Sequence, residues 1–147
     1  MSQDSIRRED FAYRHRLATR WSDMDLLGHV NNARFFSFDE DARLAYFQSL
    51  WADDPRFWKD YGFILASIGC DFLSQLHHPS ELEMGFRISR LGRSSMQTQG
   101  ALFVADRLVA VTRGVVVWFD YQLQKTQPLP EHVRSLIRQR EVVPPQE

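Results

Sequence analysis

A chain of 147 residues, 44% hydrophobic and 25% charged, is long enough for one folded core and too short for a second domain that would carry a cofactor. Its 18 basic and 19 acidic side chains nearly cancel, which excludes a global field that would draw it onto nucleic acid or an anionic membrane. No run of about 18 apolar residues could cross a bilayer, and the opening MSQDSIRRED lacks the apolar stretch of a secretory signal, so a cytoplasmic protein is expected, with neither membrane nor nucleic acid as partner.

From Phe11 to Trp21 the side chains alternate, with Phe11, Tyr13, His15, Leu17, Thr19 and Trp21 on one side. That period of two predicts a half-buried first strand. Asn31 to Leu50 carries Phe35, Phe38, Ala42 and Ala45 at helical spacing, with Asn31 or Asn32 as N-cap and no Pro or Gly inside. Phe36, Leu44, Tyr46 and Phe47 widen the apolar surface of this one long helix beyond what a surface helix needs, so a sheet is expected to wrap it. A polar connection with Pro55 runs from Trp51 to Tyr61. Strands are then predicted at Ile64–Leu73, Glu81–Leu91, Ser94–Val104 and Leu108–Tyr121, with reversals at Gly92-Arg93 and Asp106-Arg107. Pro128 and Pro130 end the sheet, Glu131–Arg140 reads as a short helix, and the Pro-Pro tail is expected to be loose. The single cysteine, Cys70, cannot form an intrachain disulfide and reads as a buried, inert thiol.

One strand, one long helix and four consecutive strands predict an α+β domain spanning residues 1–147, with a core over about 11–138 and flexible termini. Its antiparallel sheet would curl round the central helix. The sheet edges left over would be covered by pairing into homodimers or homotetramers.

The densest cluster of chemically capable residues runs from Arg20 to Arg34, between the first strand and the helix. A helix start offers unpaired N–H groups and partial positive charge, which can polarise a carbonyl and stabilise its oxyanion. Asp25 lies just upstream, where a carboxylate can attack an activated acyl carbon or deprotonate a water that does. Gly28 would allow the tight turn between them. Asp23 reads as a structural cap and His29 as a brace for the loop. Neither His29 nor the doublet His77-His78 has a second ligand group at metal spacing, so no metal is expected.

The run Asp23-Met-Asp25-Leu-Leu-Gly28-His29-Val-Asn31-Asn32, followed by Phe35, Phe38, Glu40 and Ala42-Arg43, resembles the hotdog thioesterases of the 4-hydroxybenzoyl-CoA thioesterase type, in particular their bacterial acyl-CoA branch. Leu91-Gly-Arg-Ser-Ser95 and Pro128-Leu-Pro-Glu-Xaa-Val133 extend the likeness to about residues 11–138. The resemblance implies the hotdog fold, acyl-CoA thioester hydrolysis with Asp25 as general base or nucleophile, and a polarising N–H near Asn32. A plant branch that acts on acyl-carrier protein also implicates a histidine at the position of His29, together with an asparagine whose place is taken here by Leu27. That departure leaves His29 as a brace or secondary participant. Glu40, where a related clan uses a helical carboxylate, reads as structural because Asp25 is present.

Coenzyme A, as part of the substrate, would be the one cofactor-like group. Its phosphates suit Arg93, Ser94 and Ser95 in a turn at Gly92, with Arg90 and Lys125 as helpers. Candidate acyl-pocket liners are Phe35, Phe36, Phe63 and Trp58. The alternatives are hydrolysis of acyl groups on carrier protein, and a non-catalytic scaffold that binds acyl thioesters with Asp25 as a cap only. A hotdog dehydratase would need a histidine-containing helix motif that the long helix lacks.

Overall fold

The computed structural model describes residues 3–147. Two single 3-10 turns, Gln3–Ser5 and Arg8–Asp10, lead into β1 (Tyr13–Ala18), and a third, Trp21–Asp23, separates it from helix α1 (Asn32–Leu50). The chain continues through β2 (Tyr61–Phe72), β3 (Glu81–Leu91), β4 (Ser95–Val104), β5 (Arg107–Asp120) and the short β6 (Lys125–Thr126) to helix α2 (Glu131–Arg140). The sheet is antiparallel with strand order β1-β3-β4-β5-β2, and β6 pairs β5.

Helix α1 is held by burial on one face of this sheet. Phe35, Phe38, Ala42, Tyr46 and Phe47 pack against Leu82, Met84, Phe86 and Ile88, the alternate residues of β3, and against Met96, Val116 and Trp118 from β4 and β5. Burying each large side chain contributes roughly 1.5–3 kcal/mol, so the α1 stripe is the main anchor of the fold. The opposite sheet face is covered at one end by the N-terminal segment, where Ile6 and Phe11 meet Ala101, Phe103 and Val111.

Two carboxylates, Asp39 and Glu141, are buried beside α1. Asp39 is 1% exposed; its Oδ1 accepts from Thr112 Oγ1 at 2.5 Å and its Oδ2 from Arg43 Nη1 at 2.5 Å, one turn along the helix. Burial raises the Asp39 carboxyl above its ordinary range, although Thr112 and Arg43 oppose the rise. Gly100 of β4 makes the room: a Cβ there would meet Thr112 Oγ1, Met84 Cε at 2.5 Å and Asp39 Oδ1 at 3.1 Å. At the other end of the core, Glu141, just past α2, accepts from the Tyr46 hydroxyl and from the Ile88 N–H at 2.9 Å. The Arg140 guanidinium lies over the Tyr13 and Tyr46 rings.

The elements expected from the sequence are present, with shifts that have local causes. The first strand stops at Ala18, because the Arg20 N–H is taken by the Asp23 carboxylate at 2.7 Å, which caps a 3-10 turn in place of a strand. Phe11 precedes that strand and packs on the outer sheet face. The tail expected to be loose is pinned: Gln146 donates to Ser89 O at 2.9 Å and accepts from Leu91 N at 2.8 Å, adding a bridge to the edge of a bulge in β3. Strand β6 arises from a turn that Asp120 closes by accepting from the Gln122 and Leu123 N–H groups.

Gly100→Ala is expected to lower unfolding free energy by about 1–3 kcal/mol, the cost of overpacking, because the added methyl meets both Thr112 and Met84. Urea unfolding followed by circular dichroism measures it, and a loss below a few tenths of a kcal/mol would contradict the packing described.

Candidate active site

The segment between β1 and α1 folds as a small hairpin. Met24 and Val30 form an antiparallel bridge, Asp25 N donates to His29 O at 2.9 Å, and Gly28 N donates to Asp25 O at 3.2 Å. Gly28 adopts φ 82°, so residues 25–28 form a turn that ends in a left-handed glycine, a common way to close a short loop. Asp25 Oδ1 accepts from the Leu27 N–H at 2.9 Å, an Asx turn that fixes the side chain. Oδ2 has no protein partner among the described residues, so half of the carboxylate is left for chemistry.

The two nearby acids are separated by environment. Asp23 is 1% exposed and receives the Arg20 N–H at 2.7 Å and Arg20 Nη2 at 3.0 Å, with Arg34 Nε 3.6 Å away. Burial pushes its carboxyl up, but the Arg20 contacts and the Arg34 charge outweigh it and hold the acid below the usual carboxylate range. Its backbone oxygen also accepts from Asn31 N at 2.9 Å, which aims the chain into the helix. Asp25 is half-buried on the same loop with no ion pair among the described residues.

Asn31 is the N-cap of α1: its Oδ1 accepts from Ala33 N at 2.9 Å and its backbone oxygen from Arg34 N at 2.9 Å. Two of the first-turn donors are therefore satisfied. The Asn32 N–H, at the first helical position, has no acceptor among the described residues and is geometrically unable to find one within the helix. Asn32 lines a cleft of about 300 Å³, walled by His29, Val30 and Phe35 on one side and by Phe72 and the 73–76 segment on the other. Asp25 is not part of that wall within one chain; its loop reaches the cleft through His29.

His29 packs edge-on against His77, with ring centroids 5.1 Å apart, and His77 Nδ1 donates to Gly28 O at 3.1 Å. His78 Nδ1 pairs with Thr19 Oγ1 at 2.8 Å. The histidine doublet thus clamps the two ends of the loop segment to the approach to β3, a contact between distant segments that the sequence did not signal. Of the candidate acyl liners, Phe35 lines the cleft. Phe63 stacks on Phe47 at 4.3 Å and Trp58 packs on Phe57 at 4.5 Å, both in the aromatic core, and Phe36 is half-buried outside the cleft wall. The bulk of rings at that end of α1 draws Phe63 and Trp58 into the core cluster.

The turn at Gly92 is tight, with Gly92 N donating to Ser95 O at 2.7 Å. Its carbonyls hold α2 and β5: Arg93 O accepts from Leu129 N at 2.8 Å, Ser94 O from Trp118 N at 2.8 Å, and Gly92 O from Arg134 Nη2. The Ser94 and Ser95 side chains are half-buried, whereas Arg93, Arg90 and Lys125 are exposed. Glu40 is exposed on α1; the carboxylate beside it, Asp39, is the buried one, which the sequence reading missed because a helical stripe of Phe and Ala gives no sign of a buried acid. Cys70 is half-buried, and burial, assisted by the Asp71 and Asp39 charges, pushes its thiol up to about 11, so it is a protonated thiol at neutral pH.

A family model described as the thioesterase-like superfamily matches residues 19–137. The uncharacterized protein YsmA of Bacillus subtilis (strain 168) is 31% identical over 86 residues, 58% of this chain and 57% of that protein, so the chain spans little more than half the length of this curated relative. Among solved structures, a thioesterase from Thermus thermophilus complexed with coenzyme A and Zn is 35% identical, with a TM-score of 0.80 over 92% of this chain and 98% of that one. The PA5185 protein from Pseudomonas aeruginosa strain PAO1 is 28% identical, with a TM-score of 0.82 over 94% of this chain and 97% of that one. The curled antiparallel sheet round a long helix is the hotdog fold.

Two substitutions test the loop. A Cβ at Gly28 would touch nothing within 4 Å, so Gly28→Ala is expected to cost only the left-handed backbone strain, about 1–2 kcal/mol, with Gly28→Asn costing less in urea unfolding. Asp23→Asn should destabilise by about 1–3 kcal/mol at pH 7. The depressed acid contributes stability above its unfolded pKa of about 3.9 and loses it as pH falls through the lower folded value. Unfolding curves of the variant and parent should therefore draw together as pH falls below the ordinary carboxylate range; a gap that does not narrow with acid would show that the carboxylate charge is not what holds the loop.

Proposed function

We propose that this chain, which belongs to the thioesterase-like superfamily, is a thioester hydrolase that cleaves an acyl-coenzyme A to the free carboxylic acid and coenzyme A. The observation that carries the reading is the open first turn of α1: Asn32, whose N–H has no acceptor among the described residues, lines a cleft next to a loop on which Asp25 keeps one carboxylate oxygen without a partner among those residues. A substrate carbonyl oxygen at the Asn32 N–H would be polarised by that donor and by the helix dipole, which stabilise the oxyanion as it forms. Asp25 Oδ2 then takes a proton from water as the water oxygen bonds to the acyl carbon, or bonds to that carbon itself. In the first route the carbon–sulfur bond breaks and the thiolate leaves with the proton that Asp25 took from water; in the second the thiolate leaves an aspartyl anhydride, which a water then hydrolyses, releasing the acid, restoring the Asp25 carboxylate and supplying the proton that makes the coenzyme A thiol. His29, fixed against His77, holds the loop rather than the proton.

Asp25 and the cleft would be brought together by a second copy of the chain. Among the described residues strand β2 pairs in the sheet with β5, and beyond a bridge from Tyr61 to Phe57 its other edge is unpaired, with Ile64 and Leu65 exposed along it and Phe72 and Leu73 at the cleft end. A long apolar edge is unstable in isolation and is relieved by antiparallel pairing with its own copy. Trp21, Leu26 and Leu27, all exposed beside Asp25, supply further apolar surface for that contact. The exposed Arg93, with Ser94 and Ser95, suits the coenzyme A phosphates. Cytoplasmic residence fits this substrate; among the described residues no helix is long and apolar enough to cross a membrane.

Thiol release from short, long and aromatic acyl-coenzyme A thioesters tests the activity. Asp25→Asn, which keeps the Asx turn, is expected to lower kcat at least about a hundredfold with little change in KM. Full activity in that variant, with loss in Glu40→Gln, would transfer the chemistry to the helix. Oxygen-isotope incorporation into Asp25 during a single turnover separates the anhydride route from base-assisted water. Leu65→Lys should shift the chain toward monomer in sedimentation velocity and lower turnover in parallel; an active monomer would remove the second copy from the site.

A further inference from the structure

The outer face of the sheet, away from α1, holds a second pocket apart from the cleft at Asn32. Strand alternation places Arg87, Gln99 and Arg113 on that face, and they stand in one row across three neighbouring strands, since Arg87 pairs in register with Gln99 and Gln99 with Arg113. The row opens into a cavity of about 510 Å³, roofed in part by Val143 and Pro144 of the pinned tail. This is within the usual range of about 300–1,000 Å³ for small-molecule sites.

Arg87 is 6% exposed, and its hydrogen-bond partner among the described residues is neutral: Nε donates to Gln99 Oε1 at 2.8 Å. Among the described residues no carboxylate lies within ion-pairing distance of it, and none is in the pocket wall. The terminal guanidinium nitrogens and the Gln99 amide nitrogen, itself on a residue 6% exposed, are thus donors without acceptors among those residues, on side chains that line the cavity. A buried charge without a direct ion pair is costly, and an oxyanion relieves that cost with charge-assisted bonds. Burial accordingly pushes the Arg87 guanidinium pKa down, with Glu141 and Asp10 opposing the fall. Arg113 is half-exposed and shares its charge with Asp71 at 3.1 Å, which leaves other donors of its fork for a ligand. With strands about 4.8 Å apart, the two arginines are rooted roughly 10 Å from each other, a span that two long side chains close onto a single tetrahedral group.

We propose that this outer-face pocket binds a phosphate monoester, with the phosphate held by Arg87, Arg113 and the Gln99 amide and the organic part resting on Val115, Val143 and Pro144. The phosphate could be that of a free metabolite or the ribose phosphate of coenzyme A itself, two sources with one recognition chemistry.

The test is isothermal titration of the full chain with inorganic phosphate against chloride at fixed ionic strength, a readout independent of turnover and so of the hydrolase reading. Saturable binding at one site per chain is expected, weakened by about tenfold or more in Arg87→Gln and in Arg113→Gln. The second variant alters an exposed side chain and covers the case in which the first fails to fold. Absence of saturable binding, or binding that survives both substitutions, overturns the proposal. Competition then names the source. Displacement by coenzyme A but not by dephospho-coenzyme A assigns the substrate's own phosphate; displacement by glycerol phosphate but not by coenzyme A assigns a separate ligand.

Discussion

A nineteen-residue helix buried against a curled sheet must surrender its ends to solvent, because the first-turn N–H groups cannot be matched by the helix itself and the sheet has no donors or acceptors to spare on its face. That constraint decides where chemistry can happen in this molecule. Phe35, Phe38, Ala42, Tyr46 and Phe47 hold α1 against the sheet, so the position of Asn32 is fixed by packing along the whole helix. The Asp39 carboxylate, bonded to Thr112 of β5 and to Arg43, adds a directional tie inside an otherwise apolar contact. Apolar packing alone tolerates sliding; a buried carboxylate with two partners sets one register for helix on sheet.

The loop before α1 divides labour between two carboxylates separated by a single residue. Asp23 turns inward, is fully engaged by Arg20 and Arg34, and through its backbone directs Asn31 into the cap. Asp25 turns outward and commits one oxygen to the Asx turn. In the hydrolase proposed above, a rigid loop with one uncommitted oxygen would need little ordering when substrate arrives. The histidines serve the same rigidity by fastening the loop to the segment before β3.

The two chain ends act on the outer sheet face. Ile6 and Phe11 cover one end of it with apolar contacts, and the tail, pinned through Gln146, covers the other. Between them remains the row of Arg87, Gln99 and Arg113, with Ser67, Ser89 and Gln97 in the same wall. The two faces of one sheet therefore do different work: one grips the helix that carries the cleft, and the other keeps a cationic hollow.

Much of this was legible in the amino-acid sequence. Helical spacing from Phe35 to Phe47, with Asn31 ahead of it, located α1 and its cap, and the runs after Tyr61 located the strands, because periodicity and capping are local properties of the chain. The Asp23-to-Asn32 segment pointed to the loop and the family for the same reason. What lay beyond it depended on contacts between distant residues. The placing of the loop that carries Asp23 and Asp25 rested on Leu76, His77 and His78, far along the chain; the burial of Asp39 rested on Thr112, 73 positions away, and on a glycine at position 100; and the pinning of the tail rested on a bulge in β3. The row across β3, β4 and β5 exists only once strand register is set, since a shift of one residue would send Arg87 or Arg113 to the helix face. Local pattern thus determined which elements form, and tertiary pairing alone decided which side chains they bring together.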